Sequence, residues 1–229
     1  MIQALREQVC EANKALVRQG LVVLTWGNVS GIDRVAGLVV IKPSGVPYEL
    51  LTPDDMVVVS LDGHQSEGDL SPSSDLPTHL ELYRAFSWVG GITHTHSACA
   101  TSFAQARRAL PCYGTTHADH FHGEVPCTRL LTPEEVASDY ELNTGKLIVE
   151  TFRDRDTLAV PAVLVAGHGP FTWGATAEDS VHNSVALEAC ARMALNTLAL
   201  DASATPLPAY ILDRHYHRKH GPAATYGQR

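Results

Sequence analysis

Val89-Gly-Gly-Ile-Thr-His94-Thr-His96-Ser97 is the stretch on which the fold of this chain is read. Val89 and Ile92 predict a strand, and in a strand residues two apart point to the same face. His94 and His96 then present two imidazoles on one side, at the end of an apolar run and among small residues. That is half of a metal site. The donor type suits Zn²⁺ or a similar ion, which takes three protein ligands and keeps a fourth position open for chemistry.

Working outward, strands and helices alternate. Ile2, Leu5, Val9, Ala12 and Leu16 recur at helical spacing over residues 2–18, and Gly20 ends that helix. Leu21–Thr25 reads as a short strand and residues 26–31 as a turn. Residues 37–41 read as the next strand. Thr52-Pro53 is an N-cap followed by proline at the first helical position, ahead of a strand at residues 56–60 and a hairpin turn at Asp62-Gly63. A helix ends at Phe86, the histidine strand follows, and a small-residue helix spans 98–106. Residues 111–131 read as irregular strands. Helices are expected from Thr132 and over 143–152, and a strand over 162–166. The longest helix is expected over 176–200 and a last one near 210–219. Strands bracketed by helices imply an α/β domain with a mixed sheet and helices against its faces.

Composition narrows the function classes. The chain has 229 residues, 45% of them hydrophobic, which suits a single domain with a sizeable core. A net charge of −8 without a block of like charge argues against nucleic acid as a partner. The five cysteines are widely spaced and form no Cys-x-x-Cys pair, so a reducing cytoplasm is the expected location. The first residues read as helix rather than signal peptide, and no apolar run is long enough to span a membrane.

The remaining motifs supply a third ligand, an anion site and acid/base groups. His168 sits between two glycines at the end of the strand over 162–166, where the backbone can bend and something can approach the ring. Asp75, at the start of its helix, is a candidate fourth ligand, although the residue type and position read first as an ordinary N-cap. Gly27-Asn28, Ser44-Gly45 and Ser73-Ser74 are small-polar turns whose N–H, hydroxyl and amide donors can hold a phosphate, with Lys42 adding charge. Turns use such residues in any case. Asp119 and Tyr226 are acid/base candidates, with His117, His120, His122, His215 and Glu141 competing. His64 and His79 read as solvent or core residues and His182 as a packing residue. His217, His220, Arg218 and Lys219 form a basic cluster at a helix end, which complements the helix dipole or meets a second anionic end of a substrate.

Taken in order, these motifs resemble the class II aldolase/epimerase family. The resemblance is carried by Thr25-Trp-Gly-Asn-Val-Ser30, Ile41-Lys-Pro-Ser-Gly45, Pro72-Ser-Ser-Asp75 with Pro77-Thr-His79, and Gly91-Ile-Thr-His-Thr-His-Ser97. It continues through Gly114-Thr-Thr-His-Ala-Asp119, Glu150-Thr-Phe152, His168-Gly-Pro-Phe171, Ala177-Glu-Asp179, Arg218-Lys-His-Gly221 and Tyr226-Gly-Gln228.

The resemblance implies a class II aldolase-like fold over residues 1–229, with a mixed, mainly antiparallel central sheet flanked by helices. It implies one divalent cation per subunit, Zn²⁺ or another such as Mn²⁺ or Co²⁺, on His94, His96 and His168 with Asp75 beside them. Gly27, Asn28, Ser44, Gly45, Ser73 and Ser74, with Lys42 nearby, map onto the phosphate pocket. Asp119 and Tyr226 map onto proton donor/acceptors that work across a subunit interface in a cyclic homotetramer. The substrate implied is a small phosphorylated ketose. Aldolases of the family, of the fuculose- or rhamnulose-phosphate type, usually carry Glu where this chain has Asp75. The shorter carboxylate, Asp119 and the tyrosine tail lean toward the epimerase branch, which inverts carbon 4 of a ketose 5-phosphate. The hydrogen on that carbon is not next to the carbonyl, so inversion needs cleavage of the C3–C4 bond and re-addition. The alternatives are an aldolase that releases its fragments and a non-catalytic metal-binding protein on the same scaffold.

Overall fold

Strands covered on both faces account for the continuous apolar runs of this sequence. The structure is a computed structural model that describes residues 2–221, 224 and 225. Its strands are β1 (Asn28–Asp33), β2 (Leu38–Ile41), β3 (Val57–Ser60), β4 (Gln65–Glu67), β5 (Gly91–His94), β6 (Ala162–Leu164) and β7 (Pro170–Gly174). They form a 7-stranded sheet in the order β4-β3-β2-β1-β5-β7-β6. Every strand pairing is antiparallel. The mixed component shrinks to one isolated parallel bridge, Cys127 to Leu164.

The helices are α1 (Ile2–Arg18), α2 (Leu76–Ala85), α3 (Ala98–Gln105), α4 (Thr115–Ala118), α5 (Pro133–Thr151), α6 (Ala177–Leu200) and α7 (Ala209–Lys219). Alternate residues of β2 and β3 enter two separate cores, as the two-residue strand period requires. Val39, Ile41, Val57 and Val59 join Leu80 of α2, Phe103 of α3 and Leu187 of α6 on one face. Val40 and Val58 join Val9 and Leu16 of α1 and Val181 of α6 on the other. Each fully buried valine contributes about 1.5–3 kcal/mol.

Several local expectations change. Residues 21–25 form no strand. Leu21 is buried but Val23 and Leu24 are exposed, and Leu24 has a φ of 54°. The turn expected at 26–31 is strand from Asn28 onward. Buried Asn13 of α1 bonds both backbone groups of Val29 (2.9 and 3.1 Å), so a turn-like sequence is held extended. β7 is absent from the sequence reading, because Pro170 opens it and glycines precede it, yet all five of its residues are buried. The two helices expected after Thr132 are present, running on from one to the other across a kink at Asp139, whose φ/ψ is non-helical.

Residues 111–131 contain the short helix α4 and an isolated bridge from Leu110 to Val125 rather than regular strands. His182 is exposed and lies 3.8 Å from Glu178, so it is a surface residue of α6 rather than a packing residue. Thr132 caps α5 through a reciprocal Thr132–Glu135 capping box, and Thr176 caps α6.

Candidate active site

The ends of three neighbouring strands place the first ligands. In the antiparallel register His94, the last residue of β5, lies opposite Asn28 of β1 and Phe171 of β7. His168 occupies the tight turn between β6 and β7. That turn is closed by Val165 N–H to the Gly169 carbonyl (2.9 Å) and His168 N–H to the Val165 carbonyl (3.0 Å), with Gly167 at φ 75°. Gly169 must be glycine, since a Cβ there would lie 2.8 Å from the Thr95 carbonyl. His96 lies two residues past the end of β5, in the segment that leads to α3.

The three imidazoles converge. Ring centroids are 4.9 Å apart for His94 and His96, 4.7 Å for His94 and His168, and 5.0 Å for His96 and His168. One nitrogen from each ring lies within 4.8 Å of the other two. His94 donates its Nδ1–H to the Pro170 carbonyl (2.9 Å), which fixes the tautomer and turns Nε2 into the cluster. Its ring is held by stacking on Phe171 at 4.2 Å.

Two observations say what belongs there. The Nε2 atoms of His94 and His96 face each other at 3.1 Å, and the buried Nδ1 of His168 has no partner among the described residues. Burial, followed by the fields of His94 and His96, pushes the His168 pKa down to about 3, and burial lowers that of His96. Three imidazoles with ring nitrogens converging on one point are the donor set of a divalent cation site.

Asp75 stands at the N-cap position of α2 but makes no capping bond. Its Oδ2 instead accepts from the Asn28 amide (2.7 Å), which also donates to Ser73 Oγ (3.0 Å). Burial alone would raise the Asp75 pKa, but His94, His79 and the Asn28 bond outweigh it and lower the value. Asp75 lines the same cavity, yet it is not one of the three residues whose ligand atoms cluster.

The cavity has a volume of about 650 Å³. Its lining brings together every residue expected for the metal and the anion: His94, His96, His168 and Asp75 with Gly27, Asn28, Lys42, Ser44, Gly45, Ser73 and Ser74. The two serine loops are tied by Ser44 N–H to the Ser71 carbonyl and Ser73 N–H to the Lys42 carbonyl, at 2.9 and 3.0 Å. Gly27 has a φ of 109°, and a Cβ there would lie 2.8 Å from the His94 carbonyl. Lys42 is 2% exposed. Its Nζ donates to the Val46 carbonyl (2.8 Å) and sits 4.9 Å over the Tyr48 ring. Burial brings its pKa down to about 8.

Asp119 lies elsewhere and does not line the cavity. It ends α4, where Arg218 of α7 holds it with two bonds (3.1 and 2.8 Å), His215 Nδ1 lies 3.1 Å away and Lys219 Nζ 3.4 Å. Burial opposes ionisation there, but these groups outweigh it and hold the carboxyl at about 2. The basic cluster of α7 therefore meets a carboxylate of its own chain. Tyr226 lies outside the described residues.

Comparison with known proteins agrees with this layout. Residues 7–195 match the family described as Class II Aldolase and Adducin N-terminal domain. The chain belongs to the class II aldolase family. It is 54% identical over 228 residues, covering 100% of both chains, to the L-ribulose-5-phosphate 4-epimerase UlaF of Salmonella paratyphi B. Among solved structures it is similar to an L-fuculose 1-phosphate aldolase (TM-score 0.80, 25% identity, 94% of this chain and 95% of that one). It is also similar to the L-fuculose-1-phosphate aldolase of Thermus thermophilus (TM-score 0.69, 26% identity, 89% and 100% covered).

This class II aldolase chain adds cavity residues that sequence reasoning passed over. Tyr140 lines the cavity 6.1 Å from the His168 ring, next to Glu141, one of the acid/base candidates of the sequence. Both directly follow the non-helical Asp139. The gap between the two helices expected in this region was the available signal. Trp26 also lines the cavity, 6.4 Å from the His96 ring.

Proposed function

We propose that this chain is a divalent-metal-dependent 4-epimerase that interconverts L-ribulose 5-phosphate and D-xylulose 5-phosphate by C3–C4 cleavage and re-addition. The observation that carries the reading is the single cavity in which three converging imidazoles face a cradle of Gly27, Asn28, Ser44, Gly45, Ser73, Ser74 and Lys42. Similarity to relatives named as this epimerase supports the choice of substrate.

His94, His96 and His168 would hold the cation, with Asp75 beside them. Zn²⁺ fits the imidazole set, and Mn²⁺ or Co²⁺ are alternatives. A cation there supplies Lewis acidity toward a carbonyl and its neighbouring hydroxyl. The cradle holds the phosphate through backbone and hydroxyl donors, and Lys42 supplies positive charge. Holding both fragments after cleavage makes recombination effectively unimolecular. The aldehyde fragment, anchored by its phosphate, turns its other face before the bond reforms.

Inversion needs one group to remove the C4 hydroxyl proton and another to return a proton on the opposite face. We assign these roles to Asp119 and Tyr226. Asp119 does not line this chain's own cavity, so the assignment requires a second copy to supply Asp119, as in a cyclic homotetramer. Thr225, next to Tyr226 in sequence, bonds through its N–H to the Arg218 carbonyl (2.9 Å), beside the Asp119 cluster. Exposed Val23, Leu24 and Trp26, the last on the cavity wall, are apolar surface suited to such packing.

We read residues 1–229 as one domain working in the cytoplasm. Among the described residues no helix is long and apolar enough to cross a membrane. The testing experiment incubates the metal-loaded protein with L-ribulose 5-phosphate and measures D-xylulose 5-phosphate and free aldehyde together. Epimer without accumulated aldehyde is expected. Released aldehyde as the main product would make the chain an aldolase, and no turnover with metal bound would make it a binding protein.

A further inference from the structure

His122, Asp213 and His217 form a second group of converging donors, remote in function from the cavity. His122 follows α4, and its N–H is fixed to the Ala159 carbonyl (2.9 Å). Its Nε2 lies 2.7 Å from Asp213 Oδ1. Asp213 and His217 are four residues apart on α7, so both project from one helix face. The ring centroids of His122 and His217 are 5.5 Å apart. One ligand atom from each of the three residues lies within 4.8 Å of the others.

We propose that these residues form a second divalent transition-metal site that clips α7 to the segment after Asp119. Two imidazoles and a carboxylate are a donor set that Zn²⁺ accepts, with water completing the tetrahedron. Donors bound at about 2.1 Å must lie within about 4.2 Å of one another. His217 is exposed, so its ring is free of core packing that would oppose closing onto an ion. A bare His122–Asp213 contact would need only two of the three residues, and His217 is the one it leaves unexplained.

The site has a structural consequence. His122 packs on Tyr216 (4.7 Å between centroids), Tyr216 stacks on His220 (4.3 Å), and His220 Nε2–H donates to the Asp119 carbonyl (2.9 Å). The same helix carries His215, Arg218 and Lys219, which surround the Asp119 carboxylate. An ion bound here would hold the Asp119 cluster to its loop without touching the cavity.

The test titrates Zn²⁺ into the metal-stripped full chain, then measures zinc per chain by atomic emission after gel filtration. Parent, His217→Gln and His122→Gln proteins are compared. Each variant is expected to hold one Zn²⁺ fewer per chain than the parent, whatever the cavity itself binds. Hydrogen exchange of the α7 amides is expected to slow on zinc addition in the parent and not in His217→Gln. His217 and Asp213 are exposed, so the substitution at 217 spares the core. Equal zinc content in parent and variants, or α7 exchange indifferent to zinc in the parent, would overturn the proposal.

Discussion

The histidine cavity and the Asp119 cluster are built in opposite ways. In the cavity, His94 is carried by a strand end paired on both sides and His168 by a tight turn closed by backbone bonds, with His96 just beyond the strand. Burial lowers the pKa of His96 and His168, and a nitrogen of each of the three rings is turned to a common point. Around Asp119, the carboxylate is saturated by cationic side chains from one helix near the chain end. The first arrangement waits for a ligand. The second holds a charge in place at a surface. The difference separates binding, which one chain completes, from proton transfer, which on our reading needs a neighbouring copy.

The largest effect is expected from His96→Asn. It removes one of three donors, so metal content and epimerisation should fall together to near background. Metal analysis beside the two-product assay checks this, and full turnover by stripped enzyme would break the assignment of the cavity. Asp119→Asn should behave differently. Turnover is expected to drop about 10²–10⁴-fold, the range for loss of a general acid or base, while metal content stays at the parent level.

Mixing the two inactive proteins tests the separation directly. If each site pairs one subunit's cavity with its neighbour's Asp119, co-expressed His96→Asn and Asp119→Asn chains in equal amounts should regain about a quarter of parent activity in randomly mixed closed rings. Recovery is expected after refolding the mixture and not after simple mixing of stable oligomers. A mixed, refolded preparation as inactive as its components would place Asp119 and the cavity in the same subunit's reaction or remove Asp119 from it.

The contrast also explains what was legible in the sequence. His94, His96 and His168 could be read because strand period and flanking glycines are local signals, and local signals survive folding when backbone geometry alone aims the side chain. The serine loops were legible by type but not by partnership. Nothing local shows that Ser73 and Asn28 meet, 45 residues apart in sequence. Asp75 misled in an instructive way: its position is an N-cap, but the Asn28 amide of β1 takes its carboxylate in place of the helix N–H groups. The saturation of Asp119 by α7 was invisible, since it depends on a contact almost 100 residues distant. β7 was missed because Pro170 and its glycines spoke for a turn while burial between β5 and β6 decided for a strand.

Tyr226→Phe removes a hydroxyl rather than a charge and leaves the cavity intact. Slower epimerisation with unchanged metal content is expected, by a smaller factor than for Asp119→Asn. Comparing the forward and reverse directions sharpens the result. If Asp119 and Tyr226 serve opposite faces, each substitution slows both directions, because the base of one direction is the acid of the other. A Phe variant with parent turnover in both would remove Tyr226 from the chemistry.

The smallest effect comes from pH and belongs to the cavity alone. Lys42 has its pKa lowered to about 8 by burial, so it is cationic below that value and neutral above it. A phosphate monoester is already dianionic there, with its second pKa at about 6. Substrate affinity should therefore be flat between about pH 7 and 8 and then weaken, by at most about tenfold per pH unit for loss of a single proton. Asp119, held at about 2, stays ionised across this window and contributes no titration to it. KM measured from about pH 7 to 9.5 checks the trend, with Lys42→Met as the control. Lys42→Met should raise KM at neutral pH and flatten the rise above the lysine's own pKa. If the rise persists in Lys42→Met, another group titrates, and the cradle holds its phosphate through backbone and hydroxyl donors without help from the lysine charge.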